Sequence, residues 1–313
     1  MSNSAFFPIH NKPYAIQFLY LLLAFFVCYS IASIIQISML FALGVDLESF
    51  IEMDVVKMSE QQILVYKAMQ ILFSVFIFIL PAWLFSYWQN RNSLDYLQLN
   101  QGFVPYKAFL ATVIILVSFP LMGYLLQFNQ SLELPAFLSE LEIWMKDMEE
   151  KAADLIVVFL AMDSVGDLLL NLLMIALIPA VGEELLFRGC LQQIFQKWFK
   201  NPHLAIWIAA AMFSFFHFQF YGFLPRLLIG VLLGYLFFWS GNLWYPIIGH
   251  LINNGIQVLA VYFGQMDLEQ AAAAPNIPMI AALGSLFLLF GFSWVYRKNH
   301  ALDVDFHKED TMM

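Results

Sequence analysis

The chain has 313 residues, of which 62% are hydrophobic and 12% charged, and its formal net charge is -9. Soluble globular chains are about 25% charged and about 45–50% apolar, so this composition falls in the membrane class, and 33 Phe, 13 Tyr and 8 Trp suit lipid contact and interfacial belts. The acidic balance supplies no basic patch for phosphates, which argues against a nucleic-acid partner. Two cysteines inside apolar runs, Cys28 and Cys190, make neither a disulfide framework nor a CxxC metal site.

The first apolar run, from Tyr14 to Leu43, holds about 30 uncharged residues against the roughly 7–15 of a signal h-region, and reads as a retained transmembrane helix. At roughly 17–25 apolar residues per crossing, eight spans are expected: 14–42, 63–88, 104–128, 166–196, 203–221, 225–240, 243–263 and 277–296. The sixth is short for a full crossing. Pro81, Pro120 and Pro179 lie inside spans and are expected to kink them. Lys67 is the one charge well inside the first three spans, near enough to a helix end to snorkel. Between spans three and four, Leu134, Phe137, Leu138, Leu141, Trp144 and Met145 recur at helical spacing among acidic residues, the pattern of an interfacial or extracytoplasmic amphipathic helix.

Lys12, Arg91, Lys107, Lys197, Lys200, Arg297 and Lys298 flank alternate span ends, whereas segments 45–60 and 129–167 are acidic. That asymmetry predicts an even number of spans with both termini cytoplasmic. The expected architecture is all-α: one integral membrane domain over 1–313, a polytopic bundle of about eight transmembrane helices. Its chemical core is expected at 165–262, with a polar, disordered tail at 300–313.

A charge at mid-membrane costs about 2.5–3.5 kcal/mol on insertion scales, so an ionisable group there points to function. The second half concentrates such groups: Glu183, Glu184 and Arg188 on span four, His217 on span five, and His250, Asn253 and Asn254 on span seven. Glu184 and Arg188 are i,i+4 and form a structural pair; Glu183, turned about 100° from Glu184, has no local partner. Phe213 stands one turn before His217, and His250 one turn before Asn254. Taken singly, a histidine in an apolar helix is a packing residue and Asn254 is interhelical glue. Cys190, about two turns past Glu183, lacks a neighbouring base and reads as packing, as does the Gly230/Gly234 GxxxG. Taken together, spans four, five and seven are expected to converge on one cavity.

The ordered set E-E-x-x-x-R (Glu183, Glu184, Arg188), F-x-x-x-H (Phe213, His217) and H-x-x-x-N (His250, Asn254) resembles the CPBP family. These are the CAAX prenyl proteases and bacteriocin-processing enzymes, also called Abi or Ras-converting-enzyme-like intramembrane proteases. The resemblance covers roughly residues 165–262. Peptide hydrolysis needs an activated water and a donor for the developing oxyanion, and Glu183 suits the base. The resemblance implies the same role for it, with His217 positioning or polarising the water, and His250 and Asn254 stabilising the oxyanion. Glu184, Arg188 and Phe213 are supporting residues. The implied partner is a peptide or protein substrate entering from the lipid bilayer: a prenylated CaaX tail, a pheromone or bacteriocin leader, or a membrane-anchored regulator.

Glu183, His217 and His250 also form the His₂Glu set of catalytic zinc sites, which keeps a divalent metal such as zinc open; against it, no HExxH is present and Asn254 is a poor zinc ligand. Two other readings compete. A proton- or ion-coupled transporter would use the same Glu and His as a relay, but shows neither repeats nor paired broken helices here. A non-catalytic scaffold or immunity protein would share the fold without the reaction. One feature fits poorly. Glu183 and His217 lie about 13–14 residues from the cytoplasmic ends of their spans and His250 about 7, a depth mismatch near 10 Å at about 1.5 Å per residue.

Overall fold

The computed structural model describes residues 9–42, 58–264, 266 and 276–310, with side chains to Lys298. Among the described residues the regular structure is helical, with no strand. α1 (Tyr14–Ala42) is apolar all round, and turns Leu19, Phe26, Ile34 and Phe41 outward. α2 (Glu60–Gln89) starts at a capping box in which Ser59 and Gln62 satisfy each other's backbone N–H. α3 (Pro105–Gln130) opens on a proline, whose missing N–H costs nothing in a first turn. The acidic amphipathic segment folds as expected: α4 (Ser139–Leu160) follows a short turn, with Phe137 and Ile143 exposed.

α5 (Val165–Phe199) begins at a second capping box, Ser164 with Asp167. Asn201 accepts the His203 and Leu204 N–H groups to start α6 (Pro202–Phe215). α7 (Phe223–Ser240) ends on Gly241, whose φ of +60° is the left-handed conformation glycine adopts freely. α8 (Trp244–Tyr262) and α9 (Met279–Asp310) complete the bundle. α3 packs against α7, α8 and α9, while α1 covers α2 and the end of α5.

Among the described residues, six stretches are long and apolar enough to cross a membrane: α1, α2, α3, α5, α9, and α7 with the turn before it. α6 is a shorter apolar helix. The chain is an integral, multi-pass helical membrane protein.

π-helical segments Val75–Ile79 and Leu172–Leu177 each end two residues before Pro81 and Pro179, while Pro120 sits inside α3. Three expectations change. Lys67 does not snorkel to the surface. It is 4% exposed and within electrostatic reach of Asp167 at the start of α5. The predicted tail is helical through Asp310, because no Gly or Pro interrupts the chain after Gly291; residues 311–313 lie outside the described residues. Span five ends at Phe215, so His217 sits on a turn rather than on a helix.

Candidate active site

Every residue from Gly182 to Phe195 is buried, which answers how α5 carries three charges at this depth. A helix covered on all sides meets protein rather than lipid. Its neighbours come very close: a Cβ at Gly182 would stand 2.8 Å from Phe78 Cβ, and one at Gly189 2.8 Å from Leu97 Cδ2. Within this stretch Glu184–Gln192 is a third π-helical segment.

The depth mismatch disappears for a simple reason. A Cβ at Gly189 would also lie 3.4 Å from Leu243 Cδ2, so the start of α8 is level with Gly189, ten residues before α5 ends at Phe199. Counting from that level, Glu183 is six residues away and His250 seven. The last turns of α5 overshoot α8, held by Gln193 Nε2 donating to the Tyr96 carbonyl at 2.9 Å and by Gln192 Nε2 donating to the Gly234 carbonyl at 3.0 Å.

The cluster centres on Glu184, which is fully buried. Its Oε1 accepts Arg188 Nη1 at 2.6 Å and lies 2.8 Å from His250 Nδ1. Arg188 Nη2 donates to the Gly230 carbonyl at 2.8 Å, and its guanidinium stands 4.7 Å from the Phe213 ring centroid. Gly230 and Gly234 serve packing as expected, since Cβ atoms there would meet Ala210 Cβ at 3.0 Å and Ile206 Cγ2 at 2.8 Å. Glu184 is therefore shared between two helices rather than reserved for Arg188. Glu183 is 7% exposed, and its Oε2, 3.8 Å from His250 Nε2, has no hydrogen-bond partner.

Phe213 links both histidines, its ring 5.1 Å from His217 and 5.8 Å from His250, edge-on to each. His217 ends its own helix. Its ring Nδ1 takes the Phe213 carbonyl at 2.9 Å, the acceptor its backbone N–H would use in a continuing helix, and Phe218 turns to φ +52°. Asn254 faces α5: its Nδ2 donates to the Ile175 carbonyl at 3.1 Å, and its Oδ1 accepts from Asn253. In an α-helix that carbonyl would take the N–H of residue 179, which is proline and has none.

Cys190 is inert packing, its thiol against the Ala82 carbonyl at 3.7 Å. Among the described residues, no group of three or more His, Cys, Asp or Glu side chains has the arrangement of a metal site. A shallow cleft of about 320 Å³ lies apart from the cluster, over the Phe220–Gly222 turn, lined by Gln130, Lys146, Glu149, Glu150, Ala153 and Tyr221.

Sequence reasoning missed Arg226, which belongs to none of the motifs. In the fold it is half-buried and close enough for its charge to act on Glu183 and His217. Charge count alone could have flagged it, as the other arginine in the motif-bearing half's helical core.

A polytopic helical membrane protein with a buried Glu–Arg–His cluster is thus the class that fold and site define. Residues 165–256 match the family model described as type II CAAX prenyl endopeptidase Rce1-like, and every motif residue from Glu183 to Asn254 lies within that match. The uncharacterized protein YpbD of Bacillus subtilis (strain 168) is 30% identical over 97 residues, 30% of this chain and 47% of YpbD. The chain spans about half the length of the curated relative it matches. No solved structure matches it.

Proposed function

We propose that the protein is an intramembrane endopeptidase in which Glu183 activates the attacking water. One observation supports this most: inside the Rce1-like segment, the Glu183 carboxylate has a buried oxygen with no partner, 3.8 Å from His250 Nε2. Glu183 takes a proton from water as the water oxygen attacks the peptide carbonyl carbon. It returns that proton to the amine as the C–N bond breaks.

His250 gives Nδ1–H to Glu184, so its Nε2 faces the reacting atoms and donates to the oxyanion when the ring is doubly protonated. His217, with Nδ1–H committed to the Phe213 carbonyl, keeps Nε2 free to accept from and orient the water. Asn254 spends one amide N–H on Ile175 and retains the other. The substrate is a peptide or protein reached from the bilayer.

Detergent-purified wild type and Glu183→Gln are incubated with C-terminal and helix-proximal peptides, with and without a prenyl group. Cleavage by wild type alone is expected. Cleavage by Glu183→Gln at the wild-type rate removes the glutamate from the base role.

A further inference from the structure

Arg226 is a guanidinium held in place with Glu149 and Glu183 in electrostatic reach but, among the described residues, no carboxylate at ion-pair distance. Nη1 donates to the Gln219 carbonyl at 2.9 Å and Nη2 to the Gln219 side-chain oxygen, two residues past His217. The plane lies against Gly222, where a Cβ would stand 2.5 Å from Nη1, so the site admits no other residue at 222 without moving the arginine. Glu149 of α4 is within electrostatic reach, but its carboxylate accepts from the Tyr221 backbone and one oxygen stays buried without a partner. Among the described residues Arg226 closes no ion pair.

A half-buried cation is costly unless an anion meets it, and a guanidinium fork fits a carboxylate by two parallel hydrogen bonds. Two of the five N–H groups are spent on Gln219; the rest can serve a ligand.

We infer that Arg226 is a specificity-determining residue that receives a carboxylate of the substrate, beside the water activated by Glu183. This rests on the peptidase reading above. Glu149 is the resident anion that the substrate's carboxylate displaces from the guanidinium's field. Two sources share this chemistry: the C-terminal α-carboxylate of the peptide, or an Asp or Glu side chain near the scissile bond.

The test uses pairs of a cleaved peptide: free acid against C-terminal amide, and Glu against Gln at each position around the bond. Wild type is expected to show KM about tenfold or more lower for the carboxylate-bearing member of one pair, the scale of a charge-assisted hydrogen bond. The pair that responds names the source. Arg226→Gln should collapse that ratio toward one, and Arg226→Lys should restore it in part. A variant that weakens both members equally has lost structure only, and overturns the assignment. So does a wild type that treats both members of every pair alike, a result needing no variant to fold. Fluorescence anisotropy of the same peptides on Glu183→Gln reads binding without cleavage. Discrimination there with no turnover in wild type would sink the peptidase reading and keep the carboxylate site; turnover without discrimination would do the reverse.

Discussion

Removing Arg188 should cost far more than removing both it and the charge it neutralises. Arg188 is 1% exposed and satisfies Glu184 Oε1 at 2.6 Å, the Gly230 carbonyl at 2.8 Å and the face of Phe213. Arg188→Met fills similar volume but strands the Glu184 carboxylate, whose second oxygen already lacks a partner. Breaking a buried ion pair from one side costs about 3–5 kcal/mol. That is about two to three and a half orders of magnitude in the folding equilibrium, at about 1.4 kcal/mol per tenfold. In Glu184→Gln/Arg188→Met no uncompensated charge remains, and the loss should shrink by about 1–2 kcal/mol or more relative to the single variant. Reversible unfolding in mixed micelles of mild detergent and dodecyl sulfate, followed by tryptophan fluorescence, measures both. A single variant losing less than about 1 kcal/mol, or a double variant as unstable as the single, would refute this account of the cluster.

Asn254→Leu should destabilise the protein by about 1–3 kcal/mol, the cost of an orphaned carbonyl, here that of Ile175. Pro179→Ala in that background returns the missing N–H and should recover most of the loss; if the two losses simply add in thermal denaturation, the pairing is wrong. Burial holds the Glu149 carboxyl above its ordinary range, against the opposing pull of Arg226 and the Tyr221 N–H. A folded-state value above the unfolded one means that docking of α4 is fully supported below the unfolded value and weakens as pH rises through the folded one. Hydrogen exchange across residues 139–160, corrected for intrinsic rates, should therefore show firmer protection near about pH 4 than near about pH 8. Glu149→Gln should flatten that dependence, and stronger protection at the higher pH would contradict it.

Much of this was legible from residue order. Apolar runs set the helices, and the boundaries expected for α1, α3 and α8 agree with those observed within two residues. The motif spacing placed Glu184 against Arg188 because i,i+4 neighbours share a helix face, and it put Phe213 beside His217, whose ring stays 5.1 Å away even though the helix ends between them. Hydropathy also separated the amphipathic α4 from the spans.

Contacts between helices could not be read in that way. Glu184 and His250 meet across 66 residues because α5 overshoots the start of α8, an offset no span boundary encodes. His217 left its helix because its own ring competes for the Phe213 carbonyl, and Arg226 joined the site because Gln219 and Gly222 hold it there. Periodicity and desolvation cost act along one helix and belong to the sequence itself. Which buried charge finds which partner depends on axial offset and close approach between helices, and only the packed bundle decides those.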